Sequence, residues 1–169
     1  MTIKTFYFNP FRECTYLVID GTNVIVIDPG MLTEQEKARF ADYLKEENLS
    51  LTHILITHTH EDHVCGLEWL QALSGLSQVN ILPSGWERIP TPGHKEDAVC
   101  FYIPAQGILF SGDTLFQESV GRTDLPGGDW NELVRSLKKL AALPKETTVY
   151  PGHGYATTLA HELEFNPYL

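Results

Sequence analysis

The segment Ile54-Leu55-Ile56-Thr57-His58-Thr59-His60-Glu61-Asp62-His63 joins a short apolar run to three histidines and two carboxylates. Residues 54–56 are aliphatic and mostly β-branched, which predicts a buried strand. The polar residues then fall on the loop after the carboxyl end of that strand, where open α/β sheets place their ligands. Imidazoles and carboxylates at this density are typical ligands of a divalent transition metal such as zinc. The segment therefore predicts a metal site at the end of a strand.

Length and composition describe an ordinary globular chain. The 169 residues include 43% hydrophobic and 20% charged residues, so we predict a single domain over residues 1–169 with a sizeable core. The formal net charge of −10 argues against nucleic-acid binding, because a phosphate backbone requires clustered lysine and arginine. We therefore expect a small-molecule substrate.

The cellular setting is predicted from the N-terminus and the cysteines. The first residues contain no long apolar segment with a small-residue cleavage site, and no apolar run has the length of a membrane span. The three cysteines, Cys14, Cys65 and Cys100, are odd in number and lack the spacing of a metal finger. We interpret two or all three as small buried hydrophobes in a reducing cytosol. The prediction is a cytoplasmic protein that does not bind membranes, and the sequence leaves its oligomeric state undetermined.

Strand and helix patterns alternate along the chain. The predicted strands are 3–8, 14–19, 24–27, 54–56, 79–82, 98–103, 107–110 and 147–150, and the predicted helices are 33–47, 64–73 and 130–143. Thr33 with Glu36, and Asp129 with Glu132, have the spacing of N-terminal caps. Two groups of strands, each followed by helices, are compatible with two sheets that lie between helices.

Three of the predicted strands lead into a residue that can bind metal. His58 follows one strand, Asp113 follows the second in Ser-Gly-Asp-Thr, and His153 follows the third in Pro-Gly-His-Gly. Together with His94 in Thr-Pro-Gly-His, the chain offers seven nitrogen and oxygen donors: His58, His60, Asp62, His63, His94, Asp113 and His153. Seven donors exceed one tetrahedral site but suit two sites that share a ligand, and the Asp113 carboxylate is the candidate bridge.

The pattern His-x-His-x-Asp-His, followed by these later motifs in this order, resembles the hydroxyacylglutathione hydrolase (glyoxalase II) branch of the metallo-β-lactamase superfamily. The similarity covers most of the chain, and segments 112–116, 121–129, 157–162 and 166–169 are similar to the short, single-domain bacterial members. The resemblance implies an α/β fold, an αββα sandwich of two mixed β-sheets between helices, somewhat shortened between the first and second metal motifs.

The resemblance also implies roles for individual residues. His58, His60 and His94 would hold one divalent metal, Asp62, His63 and His153 a second, and Asp113 would bridge them; zinc is the first choice, with iron or manganese as alternatives. Asp28 of Asp-Pro-Gly would support the ligands without binding metal. Arg122 and Tyr155 match positions that contact glutathione. Arg122 would equally well brace its own loop through Asp124 or Asp129.

The reaction implied by the resemblance is hydrolysis of a thioester of the hydroxyacylglutathione type. A metal-bridging hydroxide, oriented by Asp62, would attack the carbonyl, and one metal would stabilise the developing oxyanion. A thiolate leaving group, with a pKa of about 8.5, needs little help from a general acid. Asp62 is therefore the predicted catalytic residue.

Two features depart from the family pattern and leave other functions open. Only 30 residues lie between His63 and His94, which predicts a more open pocket, and Lys95-Glu96-Asp97 adds negative charge beside the site. One alternative is a persulfide dioxygenase with a single iron, whose Gly-Arg-Thr-Asp segment is similar to residues 121–124. The others are a β-lactamase and a non-catalytic metal-binding protein that has lost a pocket wall.

Overall fold

The structure is a computed structural model that describes all residues from Met1 to Leu169. It divides into two compact units, Met1–Pro83 and Ser84–Leu169, and each contains one main mixed β-sheet. The predicted α/β class with two mixed sheets is thereby confirmed. No helix combines the length and the apolar character that crossing a membrane requires.

The first unit is built from four strands and three helices. In chain order these are β1 (Thr2–Phe8), β2 (Glu13–Asp20), β3 (Asn23–Ile27), α1 (Glu34–Glu46), β4 (Ser50–Leu55), α2 (Glu61–Val64) and α3 (Leu67–Ser74). Strands β1, β2 and β3 are antiparallel neighbours, and β4 lies parallel to β3 at the other edge. Since β3 and β4 are parallel, their carboxyl ends meet at one edge, which brings the residues after Ile27 and after Leu55 together.

The core of the first unit lies between the sheet and α1. Phe6 and Phe8 alternate with more exposed residues along β1, and both are buried against Phe40 of α1. The predicted cap of α1 is confirmed as a complete capping box, because Thr33 accepts from the Glu36 N–H and the Glu36 side chain accepts from the Thr33 N–H. The start of α1 is thus fixed by local side-chain chemistry.

The second unit contains seven strands and two helices. These are β5 (Glu87–Pro90), β6 (Val99–Ile103), β7 (Ile108–Gly112), β8 (Leu115–Phe116), β9 (Ser119–Val120), α4 (Trp130–Ala141), β10 (Thr148–Pro151), β11 (Thr157–Thr158) and α5 (Leu159–Phe165). The main sheet has the order β11-β10-β7-β6-β5, in which only β7 and β10 are parallel. Strands β8 and β9 form a separate hairpin. Leu133, Leu137 and Leu140 bury the apolar face of α4.

The predicted strand at 79–82 is wrong. Asn80 has a positive φ of 60°, which interrupts an extended chain, and Ile81 is 54% exposed. Asn80 instead hydrogen-bonds the end of β4: its N–H donates to Ile54 O, and its Oδ1 accepts from the Ile56 N–H. The strand preceding His94 is β5, which the sequence did not predict, and Glu61–Val64 forms a short helix where a loop was expected.

Candidate metal centre

Four of the predicted ligands lie in what we call the histidine loop, residues 58–63 of the first unit. His58 and His63 are buried, and Asp62 and His63 lie on α2. The His58 Nε2 and His60 Nδ1 atoms are 3.1 Å apart, and His63 Nε2 is 3.7 Å from Asp62 Oδ2. The loop therefore gathers nitrogen and oxygen donors at close range.

Asp28 orients two of these imidazoles from the end of β3. Its carboxylate accepts from the Thr57 N–H at 2.7 Å, the Thr57 hydroxyl at 2.6 Å and the His63 Nδ1–H at 3.0 Å. Because the Thr57 proton is directed to Asp28, Thr57 Oγ1 accepts from His58 Nδ1 at 3.1 Å. Both rings carry their proton on Nδ1 and present the Nε2 lone pair as the ligand atom. The expected supporting role of Asp28 agrees with this geometry.

The spacing of the donors fits a metal ion. Zinc–nitrogen bonds of about 2.0–2.1 Å in a tetrahedron separate neighbouring nitrogens by roughly 3.3 Å. The 3.1 Å between His58 Nε2 and His60 Nδ1 is close to that value. Zinc and iron both bind neutral imidazoles and carboxylates, so these donors suit either metal.

The other three predicted ligands come together in the second unit. Asp113 follows β7 and His153 follows β10, and these parallel neighbours are in register at Gly112 and Pro151, with the Gly152 N–H donating to Gly112 O at 2.8 Å. Asp113 Oδ2 is 3.5 Å from His94 Nε2 and 3.6 Å from His153 Nε2. One carboxylate oxygen thus lies beside both histidines, which is the arrangement expected of a shared ligand.

The Thr-Pro-Gly-His turn that carries His94 is fixed by α4 and by its own loop. The Asp129 N–H donates to Gly93 O at 2.8 Å, and the Ser136 hydroxyl donates to Pro92 O at 2.8 Å. A Cβ on Gly93 would lie 2.4 Å from the Leu133 backbone, and φ at Gly93 is 144°, so only glycine fits. His94 Nδ1–H donates to Arg122 O at 2.8 Å, which leaves Nε2 as its ligand atom.

Gly121 is a site residue whose role the sequence did not reveal. A Cβ at this position would lie 1.8 Å from Asp113 O and 3.0 Å from His94 Cβ, so the absence of a side chain allows these two ligands to approach. The only signal in the sequence was a glycine next to Arg122 in a polar loop.

Glu13 is a second such residue. It is fully buried at the start of β2, and its ligand atoms lie within 4.8 Å of those of Asp28 and His63. Thr15 Oγ1 donates to its Oε2 at 2.8 Å, whereas Oε1 has no hydrogen-bond partner. Burial raises the pKa of Glu13 well above its usual value, although the nearby His63 lowers it. A charged residue that opens a strongly apolar strand was the available signal.

The two predicted substrate residues are both on the surface. Arg122 makes a bidentate pair with Asp124, at 2.6 Å from Nε to Oδ1 and 2.7 Å from Nη2 to Oδ2. The hydrogen bond from Arg122 lowers the pKa of Asp124 to about 2. Tyr155 is 75% exposed. The loop-bracing contact of Arg122 is therefore present, and a contact of either residue with substrate stays a prediction.

Comparisons of sequence place these residues in a known family. A family model described as the metallo-β-lactamase superfamily matches residues 10–82 and 74–153, which include all seven predicted ligands. A probable metallo-hydrolase of Streptococcus pyogenes serotype M6 is 31% identical over 201 aligned residues, covering 92% of this chain and 85% of the relative. A hydroxyacylglutathione hydrolase of Francisella tularensis subsp. novicida is 33% identical over 177 residues, covering 92% of this chain and 68% of the relative.

Solved structures give the same result. The BLEG-1 B3 metallo-β-lactamase has a TM-score of 0.90 at 27% identity, with 99% of both chains covered. A di-iron-bound form of TTHA1623 has a TM-score of 0.87 at 35% identity, covering 98% of this chain and 100% of that one. ETHE1 from Myxococcus xanthus has a TM-score of 0.85 at 29% identity, covering 99% of this chain and 84% of that one. These matches confirm the predicted fold class.

Proposed function

Because this chain belongs to the metallo-β-lactamase superfamily, we propose that it is a metal-dependent hydrolase of thioesters of the hydroxyacylglutathione type. The relatives that support this assignment are the probable metallo-hydrolase and the hydroxyacylglutathione hydrolase, at 31% and 33% identity. The substrate would then be a small molecule with an acyl group on a thiol. A cytoplasmic location remains part of the proposal, and none of the three cysteines forms a disulfide.

The observation that carries the proposal is the fixed orientation of the imidazoles. Asp28, Thr57 and the Arg122 carbonyl accept Nδ1–H from His63, His58 and His94 respectively, so that each ring offers Nε2. We propose that the two donor clusters together hold two divalent ions, with His58, His60 and His94 on one ion, Asp62, His63 and His153 on the other, and Asp113 on both. Zinc suits these donors, and the di-iron form of TTHA1623 makes iron the main alternative.

The chemistry is divided between the metals and the protein. When bound, the two ions would acidify a shared water molecule and polarise the substrate carbonyl. The Asp62 carboxylate, whose side chain is 19% exposed, would accept a hydrogen bond from the attacking water and orient it. The leaving thiolate, with a pKa of about 8.5, departs without a general acid. This suits a site in which the acidic and basic side chains are committed to metal.

Substrate binding is proposed at the surface loops. Arg122 would exchange Asp124 for a carboxylate of the substrate, because both partners offer the same bidentate geometry. Glu96 and Asp97 are close to His94 in the chain and oppose an anionic substrate, and Lys95 offsets Asp97 at 3.2 Å. We therefore expect a high KM for glutathione thioesters. Thioesters with fewer carboxylates should have a higher kcat/KM than glutathione thioesters.

Elemental analysis of the purified protein, combined with hydrolysis of S-lactoylglutathione, tests the proposal. We expect two metal ions per chain and release of glutathione that a chelator abolishes and added zinc restores. Less than one ion per chain with no turnover would contradict it. Fully metallated protein that hydrolyses no thioester or ester would favour the non-catalytic alternative.

The single-iron persulfide dioxygenase is the second candidate, and the Gly-Arg-Thr-Asp segment at residues 121–124 is the observation that favours it. One iron per chain with oxygen uptake on glutathione persulfide would establish it in place of the hydrolase. Since the BLEG-1 β-lactamase has a TM-score of 0.90 to this chain, nitrocefin hydrolysis belongs in the same assay series. We expect no turnover of nitrocefin.

A further inference from the structure

Asn9 connects the histidine loop to two other segments of the first unit. It follows β1 with a positive φ of 50°, a conformation that asparagine tolerates better than most residues. Its Nδ2 donates to Asp62 O at 2.9 Å and to Gly30 O at 3.0 Å. Its Oδ1 accepts from the Phe11 N–H at 3.1 Å, and its own N–H donates to Glu36 Oε1 at 2.7 Å. All polar atoms of the side chain are therefore in use.

The two carbonyls held by Asn9 belong to backbones in direct contact. A Cβ on Gly30 would lie 2.6 Å from Asp62 O, so no side chain separates the two segments. Gly30 O also accepts from the Cys65 thiol at 3.1 Å, but that sulfur is 3.9 Å from Asp62 O. Asn9 is thus the close donor to the Asp62 carbonyl. Without the Asn9 amide, the carbonyls of Gly30 and Asp62 would repel each other, and the Cys65 thiol would be the near donor that remains.

We propose that Asn9 is a positioning residue for the candidate metal centre, which holds the backbone of Asp62 so that its carboxylate can bind metal. This inference rests on the proposed function, because it takes Asp62 as a ligand. Asp62 lies on α2, a helix of four residues that has no side-chain hydrogen bond at its N-terminus. So short a helix is not stable by itself, and its position depends on contacts from outside. The Asn9 amide provides such a contact at the ligand residue itself.

Asn48 provides a matched control. It has nearly the same backbone conformation, with φ of 52°, and it lies at the end of α1, where its N–H donates to Lys45 O. Substitutions at Asn9 and Asn48 therefore carry the same cost of a positive φ, and only those at Asn9 alter contacts with the histidine loop. Asn9→Asp keeps the size and the acceptor for Phe11 but replaces the donor by an oxygen. Asn9→Gly keeps the backbone conformation and removes the side chain.

The experiment is zinc binding by the full chain, measured by competition with a chromophoric chelator, together with kcat and KM for S-lactoylglutathione. We expect Asn9→Asp and Asn9→Gly to lower the affinity for one of the two zinc ions by about 10-fold or more, because the loss of a contact that supports a metal ligand has an effect of this size. The affinity for the other zinc ion should remain within about 2-fold of the wild-type value. The kcat should fall while KM changes little. Asn48→Asp and Asn48→Gly should retain both affinities.

Wild-type affinity for both ions in the Asn9 variants would overturn the inference. So would equal weakening of both ions together with a loss of far-ultraviolet circular dichroism, which would indicate a general structural role. If wild type binds two zinc ions but hydrolyses no thioester, the proposed function fails, and the difference in zinc affinity still tests Asn9. Wild type that binds no zinc would overturn both.

Discussion

The two donor clusters are built in different ways. In the first unit, His58, His60, Asp62 and His63 come from six consecutive residues. In the second unit, His94, Asp113 and His153 come from three segments that are far apart in the chain and meet through the parallel pairing of β7 with β10 and through the turn before β6. The first cluster is local in sequence, whereas the second exists only once its sheet has formed.

The difference determines what each cluster depends on. The histidine loop is oriented by side chains that hydrogen-bond to it, chiefly Asp28 and Asn9. The second cluster depends on close backbone packing at Gly93 and Gly121, where no side chain fits. Substitutions that remove a supporting side chain from the histidine loop should therefore lower the metal affinity of the first cluster by moderate steps. Substitutions that add a side chain at the glycines of the second cluster should cause a large loss in a single step. The four predictions that follow test this contrast from the largest expected effect to the smallest.

Asp113→Ala should have the largest effect on metal binding. Because Asp113 Oδ2 lies beside both His94 and His153, its loss should lower the affinity for both ions, each by more than about 100-fold, and abolish activity. His60→Ala, in the histidine loop, should lower the affinity for one ion only. Zinc content after gel filtration and chelator competition measure both. His161→Ala is the control, since that partly exposed histidine contacts Glu118 and lies outside the seven donors.

Gly121→Ala should destabilise the second unit and remove activity without deleting any ligand. The added methyl would overlap Asp113 O, and the shift needed to relieve the overlap should cost about 1–3 kcal/mol in the free energy of unfolding. Gly127→Ala is the control for zinc binding: its φ of 87° strains an alanine and costs stability, but no atom lies closer than 3.8 Å to the new Cβ. Urea unfolding and zinc content measure the two effects. Equal zinc binding by both variants would contradict the abrupt dependence on packing.

The same contrast explains how much the sequence could predict. The apolar runs that end before His58, Asp113 and His153 identified three strand ends, and the capping pairs at Thr33 and Asp129 located two helix starts. These signals are local. The sequence could not predict that Asn80 would adopt a positive φ and replace a strand, because that conformation is stabilised by contacts with Ile54 and Ile56 on β4.

The supporting residues were hidden for a similar reason. A glycine such as Gly121 has no side chain from which a role can be inferred, and its contact with Asp113 and His94 depends on three distant segments. Asn9 and Glu13 lie about fifty residues from the histidine loop in the chain, and their types are common in turns and on surfaces. Donor residues are recognisable by their chemistry, but the residues that position them are recognisable only by their contacts.

Asp28→Asn should reduce metal affinity to an intermediate degree. The amide retains an oxygen acceptor but replaces one carboxylate oxygen by a donor, so the Nδ1 proton of His63 and the two donors of Thr57 compete for fewer acceptors. The loss of such a contact typically weakens a metal by about 10–100-fold. Chelator competition measures it, with exposed Asp20→Asn as the control. An effect as large as that of Asp113→Ala would contradict the graded behaviour expected of the histidine loop.

The smallest effect should come from Glu36, which joins the start of α1 to Asn9. Burial acts to raise its pKa, but hydrogen bonds from the N–H groups of Thr33, Asn9 and Leu32 outweigh this, and the pKa is lowered. A carboxylate with a lowered pKa in the folded state adds stability above its unfolded pKa of about 4.3, and that stability is lost as the pH falls through the folded value.

Glu36→Gln should therefore lower the free energy of unfolding at pH 7 by less than about 1 kcal/mol, because the residue is partly exposed and solvent screens its charge. The difference from wild type should shrink by pH 3. Urea unfolding of the metal-free protein at both values is the measurement. Glu34→Gln, which removes a charge from the same helix turn and its exposed pair with Lys37, is the control. A Glu36 effect that is equal at pH 7 and pH 3 would mean that side-chain shape, rather than charge, holds Asn9 against α1.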